Sequence, residues 1–252
     1  MYYNENDPYP AQWLRNLQAA GHLPTGVVDE RSIVDVQPQD CHETSHFFAG
    51  IGGWPYALHL AGWPVDRPVW TGSCPCQPFS SAGRAKGVLD ERHLWPAFFR
   101  LIAERRPPVV FGEQVASKDG LEWLAGVRAD LEGAGYAVGA SDLCAASIGA
   151  PHIRQRLYWF TNTDGNEHIR MRAPWREDST NSYRTMAERV EERHRRWSGL
   201  VAVGATERIS SYSEARQLLD GIPGRVEQLH AYGNAIVPQV AAEFIRCVME
   251  II

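Results

Sequence analysis

The sequence predicts an α/β domain built on a mostly parallel sheet, because short apolar runs alternate with helical stretches and three of the runs break into loops that carry chemistry. "SHFFAGIGG" passes from an apolar strand into glycines, and "RPVWTGSCPCQPFS" from a short strand into two cysteines. "PPVVFGEQV" reads as a strand ending at Glu113. Open α/β sheets bind ligands in the crevice beyond the carboxyl ends of their strands, so the three tips are expected to converge.

Composition bounds the rest. A chain of 252 residues, 44% of them hydrophobic, can bury one sizeable core with a small appended lobe. No apolar run approaches the ~20 residues of a membrane span, and "MYYNENDPYP" lacks the charged and apolar regions of a signal peptide, so a cytoplasmic location without membrane attachment is expected. The five cysteines, Cys41, Cys74, Cys76, Cys144 and Cys247, form no regular framework and read as free thiols in a reducing compartment. A net charge of −5 argues against an overall polyanion-binding surface and leaves room for a local basic cleft.

The elements follow in chain order. Asp7 is a good N-cap, Pro8 suits a first turn, Trp13, Leu14 and Leu17 share a face, and Gly21 ends that helix. The turn from Ala49 to Gly53 can either bind a nucleotide or serve tight packing. Cys74 and Cys76 could be half a metal site, but no second pair follows at ligand spacing, so no metal is expected. A buried inert thiol is the other reading; against it, Pro75 and Pro78 fix the backbone on both sides, as a nucleophile requires. From Ile169 to Trp197 there are eight arginines against five acidic residues, which reads either as a DNA-contacting run or as a solvated helix with acid–base pairs. Val240, Phe244 and Val248 recur at helical spacing and predict a closing helix on the sheet.

In order, "FAGIGG", "PCQPFS", "GEQV", "GAPHIRQRLYW" and "YGNAIVPQ" resemble the blocks of the DNA cytosine-5 methyltransferase family. The resemblance implies a Rossmann-like fold dependent on S-adenosyl-L-methionine (AdoMet), with helices on both faces of the sheet and a small target-recognition region. It implies methyl transfer to C5 of a flipped cytosine through a covalent bond between Cys76 and C6, since thiolate addition at C6 places electron density on C5. Cys76 matches the nucleophile in preference to Cys74, and Glu113 suits an acid facing the ring nitrogen N3. Arg154 and Arg156 match the arginines that hold the cytosine and order the pocket, while Gln77 and Ser80 lie in a loop able to close over the base. Phe48, Gly50, Ile51, Gly53 and Asn234 match cofactor-binding positions. Gln114, His152 and His46 stand where the family has asparagine, glutamine and aspartate.

One departure concerns order. The family carries its ribose-gripping acid and adenine-reading aspartate on two strands between the glycine and cysteine loops, where only residues 54–73 stand here. "YYNENDPYPAQWLRNLQAAG" and "VVDERSIVDV" resemble those missing blocks at the front of the chain. A circular permutation is therefore expected, with Glu5 on the ribose and Asp29 on the adenine amine; an ordinary cap and a turn are the alternative readings. The domain division is then 1–161 catalytic and cofactor-binding, with 1–40 permuted, 162–219 for target recognition and 220–252 returning to the catalytic domain. The resemblance further implies a monomer acting on double-stranded DNA, encoded by a bacterium or phage, with a restriction endonuclease as system partner. The alternatives are an inactive DNA-binding relative, or an enzyme that delivers another one-carbon unit or acts on RNA.

Overall fold

The computed structural model describes residues 1–75, 94–150, 152–163 and 235–252. Cys76, Gln77, Ser80, Asn234 and the arginine-rich run lie outside the described residues, as does nearly all of the expected target-recognition region. The described residues fall into two compact units: 144–150 with 152–154 form the second, and the rest form the first.

The first unit opens with β1 (Tyr2–Asn4), α1 (Pro8–Ala19), β2 (Val27–Asp29), a 3-10 turn at Pro38–Asp40, and β3 (Thr44–Phe47). There follow α2 (Gly53–Ala61), β4 (Val69–Gly72), α3 (Trp95–Arg105), β5 (Val109–Val115), α4 (Lys118–Gly133), β6 (Ala137–Cys144), β7 (Gln155–Asn162) and α5 (Pro238–Met249). Helix α1 forms as its sequence dictates: the Asp7 carboxylate accepts the Tyr9 N–H, and Gly21 at φ +73° lets His22 N–H return to the Leu17 carbonyl.

The strands lie in the order β2-β1-β3-β4-β5-β7-β6. The pairs from β2 to β5 are parallel and β7 runs antiparallel to β5. β1 and β2, although first in the chain, form the edge beyond β3. β5 does not stop at Glu113 as expected from the sequence; it runs on to Val115, because β7 pairs with it as far as Val115 opposite Arg156.

Register assigns the two faces. Tyr2, Phe47, Trp70, Val110 and Trp159 face α3 and α4, meeting Phe98, Leu101, Ile102, Val127 and Leu131 in the main core. Tyr3 meets Leu14 of α1 on the other side, where Phe111 packs against Trp54 of α2 and Phe244 of α5. Period-2 alternation thus supplies both layers of helices from one sheet. Gly112 is required by close approach: a Cβ there would lie 2.2 Å from the Trp159 ring, which lies across β5. The expected closing helix is α5, and Val240, Phe244 and Val248 are its buried face. Among the described residues no helix is long and apolar enough to cross a membrane.

Candidate active site

Phe47, Gly72 and Gly112 sit side by side in the parallel ladder, so the segments following β3 and β4 and the last residues of β5 leave the same end of the sheet. The glycine loop comes first. Phe48 has φ +51°, Gly50 φ +53° and Gly52 φ +85° before α2 begins at Gly53. A bulky residue in the left-handed region costs about 1–3 kcal/mol and persists only where its surroundings hold it. Here the Phe48 ring stands edge-on to Phe98 with centroids 6.0 Å apart, while half-buried Phe48 retains an open side.

Three segments remote in sequence hold this loop. A Cβ on Gly52 would meet Leu23 at 2.6 Å, and one on Gly53 would meet Ile236 at 2.8 Å. At both positions a side chain would collide with a packed neighbour. A Cβ on Gly50 would meet nothing within 4 Å, and its N–H donates to Glu5 Oε2 at 2.7 Å. Glu5 Oε1 accepts the Asp7 N–H at 2.9 Å. Burial pushes the Glu5 carboxyl pKa up, while these two backbone donors pull it down. Its neighbour Asn4 latches the β2 exit, donating to the Arg31 carbonyl at 2.8 Å. The Asn-Glu pair at the β1 tip therefore ties together two loops, a role that its sequence did not disclose.

Asp29, at the β2 tip, is already engaged. The Arg31 guanidinium donates to both carboxylate oxygens, with Nη2 2.6 Å from Oδ2, and the Tyr2 hydroxyl donates to Oδ2 at 2.8 Å. Arg31 bonding, the largest influence, holds the Asp29 pKa at about 2 despite partial burial. Arg31 also reaches Asp40 at 2.8 Å, which closes the segment between β2 and the 3-10 turn. An arginine two residues after an acid is the only signal that could have disclosed this. His46 lies inside the sheet, not at its rim: its Nδ1 shares a 2.8 Å hydrogen bond with Thr71 Oγ1 and its ring faces Tyr3. Burial drives its pKa down to about 3, so it is neutral.

Toward the cysteine loop, β4 delivers Ser73, buried Cys74 and Pro75. Gln114, 2% exposed, donates from Nε2 to the Cys74 carbonyl at 3.2 Å and accepts the Val115 N–H at 2.8 Å. The Trp54 indole N–H donates to Ser73 Oγ at 2.9 Å. Glu113 and Arg156 are brought together across β5 and β7, with Nε 2.8 Å from Oε1 in a pair that is largely buried. Arg156 Nη1 also donates to the Gln155 carbonyl, which fixes the guanidinium plane. Arg154 belongs to the second unit, where its carbonyl accepts the Ala145 N–H at 2.9 Å. Among the described residues no group of three or more His, Cys, Asp or Glu could hold a metal ion.

A mostly parallel seven-stranded sheet with helices on both faces, and with a glycine loop, the exit of β4 and an ion-paired carboxylate at one end, defines an α/β fold. The model of C-5 cytosine-specific DNA methylases matches residues 65–228, and the chain belongs to that family. Type II methyltransferase M.HhaI of Haemophilus parahaemolyticus is 35% identical over 97 residues, covering 37% of this chain and 30% of that protein. Type II methyltransferase M.AplI of Arthrospira platensis is 35% identical over 92 residues, covering 36% and 27%. The chain thus spans under a third of the length of these curated relatives. A Spodoptera frugiperda DNMT2 mutant structure aligns at 16% identity with a TM-score of 0.45, covering 65% of this chain and 42% of that one.

Proposed function

We propose that the chain is a DNA (cytosine-5-)-methyltransferase that transfers a methyl group from AdoMet to C5 of a flipped cytosine through a covalent Cys76–C6 adduct. The buried Glu113–Arg156 pair beside the exit of the cysteine loop carries this reading, because a carboxyl that takes up a proton can donate it to cytosine N3 while a planar guanidinium donates to O2. The Cys76 thiolate adds to C6 while Glu113 engages N3 by hydrogen bond or proton, and Arg156 keeps that carboxylate oriented and supplies further N–H donors. AdoMet, when bound, supplies an electrophilic sulfonium methyl. Methylation of C5 would leave S-adenosylhomocysteine, and loss of the C5 proton to water would re-form the C5–C6 double bond and expel the Cys76 thiolate from C6.

The cofactor fits the residues present. The half-buried Phe48 ring offers an apolar face for adenine, and Glu5, with one backbone N–H on each oxygen, retains lone pairs for ribose hydroxyls. Asp29 would address the adenine amine with what remains of its carboxylate, while Gly50, Ile51 and Gly53 would line the methionine end, with Asn234 from the closing block. Circular permutation is part of the same proposal. The sheet order, with β1 and β2 beside β3 on the side away from β4, supports it, because it allows the two N-terminal strands to stand where the family's second and third blocks are needed. A domain division of 1–161, 162–219 and 220–252, a monomer acting on double-stranded DNA in a bacterial cytoplasm, and a companion endonuclease complete it. The Type II designation of the relatives supports the last.

The test is transfer of labelled methyl from AdoMet to unmethylated DNA by the full chain and by Cys76→Ala. Transfer by the wild type alone is expected. No transfer from folded wild-type protein overturns the activity.

A further inference from the structure

β4 and β5 end unevenly. Their last paired residues are Gly72 and Gly112, while β5 continues through Glu113 and Gln114 to Val115 against β7. Beyond Gly72 the chain has left the parallel ladder, so no strand pairing fixes its direction toward the cysteine loop. Two side chains take over. Gln114 spans sideways from β5 to the Cys74 carbonyl, its own oxygen held by the Val115 N–H, so the amide cannot rotate without losing two bonds. Trp54, 3% exposed and packed between Phe111 and Tyr158, points its indole N–H at Ser73 Oγ. One hydrogen bond comes from the strand that bears Glu113 and the other from the helix that follows the glycine loop.

We propose that Gln114 and Trp54 are positioning residues, two struts that hold the Ser73–Cys74 step and set the path by which the chain leaves β4 toward the nucleophile. A buried amide is costly to desolvate and is retained where both its ends are used. Here both ends are spent on backbone at the point where an error in direction would be carried through one rigid proline to Cys76. The bonds are complementary in origin: Gln114 references the step to the carboxylate, and Trp54 references it to the cofactor loop. The exit of β4 is thereby registered against both. This inference rests on reading Cys76 as the nucleophile.

Ser73→Ala removes the acceptor of one strut with little change in volume, and Gln114→Met removes the amide of the other at similar length. For each full-length variant three quantities are compared with wild type: the single-turnover rate of labelled methyl transfer from AdoMet to DNA, AdoMet affinity by calorimetry, and the alkylation rate of Cys76 by iodoacetamide, resolved by peptide mass spectrometry. Misplacing a reacting group by about an ångström can cost ~100-fold, so a transfer rate at least about tenfold lower is expected in each variant. A changed Cys76 alkylation rate is expected with it, and AdoMet affinity within about twofold of wild type, since the glycine loop keeps its own contacts. Wild-type transfer in either folded variant overturns the proposal. If the wild type itself transfers no methyl, the functional reading has failed, and the alkylation rates still decide the struts: unchanged values in both folded variants refute them. Should Gln114→Met fail to fold, Ser73→Ala carries the test alone.

Discussion

Arg156 Nε lies 2.8 Å from Glu113 Oε1, across the antiparallel pairing of β7 with β5. The pair joins two blocks of the sequence that are separate in the chain and places a fixed cation on the proposed acid. Because the bond runs through Nε and Nη1 is occupied by the Gln155 carbonyl, a lysine cannot reproduce it. Arg156→Lys should lower methyl transfer by about 100-fold or more, and Glu113→Gln by a similar factor, with AdoMet affinity nearly unchanged. Single-turnover rates with calorimetric binding check both.

The two cysteines make a contrast. Cys76→Ala should abolish transfer while preserving folding and cofactor binding; Cys74, which is buried, should tolerate alanine with substantial activity. A folded Cys74→Ala protein without activity would overturn the assignment of Cys76 as the nucleophile.

Glu5 accepts two backbone N–H groups, one from Asp7 and one from Gly50. Glu5→Gln keeps the shape but turns a donor toward one of them. A ribose hydroxyl that donates to Glu5 would exchange a charged acceptor for a neutral one, a loss of about 1–2 kcal/mol, so S-adenosylhomocysteine should bind about tenfold more weakly. Titration calorimetry reads this directly, and unchanged affinity would remove Glu5 from the cofactor site.

His46 makes stability depend on pH. Its folded pKa, lowered by burial to about 3, lies below the unfolded value near 6.5, so the unfolded chain binds the extra proton between those limits. Stability contributed by neutral His46 is present above pH 6.5 and is lost as pH falls toward 3, at up to ~1.4 kcal/mol per pH unit. Urea unfolding at several pH values should show this steeper loss in the wild type relative to His46→Gln.

Gly53 touches Ile236 where a Cβ would stand, 2.8 Å from Cγ1. Gly53→Ala should destabilise by about 1–3 kcal/mol, and adding Ile236→Ala should restore part of that loss. A double-mutant cycle of unfolding free energies measures the coupling, and strictly additive effects would contradict the contact.

Much of this was legible from local chemistry. The capped helix α1, the apolar stripe of α5 and the order of loops along the chain follow from propensities and periodicities that each segment carries alone. The end of β5 was misread because residues 113–115 have strand conformation only through their pairing with β7. The surroundings of Asp29 were half visible: its place at a strand tip could be read, and Arg31 two residues on was the one local hint of their ion pair.

By itself, then, the sequence determined the fold class and the points where β3 and β4 give way to loops, because glycine, proline and apolar alternation act over a few residues. Only the tertiary structure decided which of those residues meet. Glu5 reaches Gly50 across 45 positions, Gln114 reaches Cys74 across 40, and the first two strands reach the edge beyond β3. Such contacts depend on sheet order and register, which are set by burying both faces of the sheet at once, and no local segment encodes that balance.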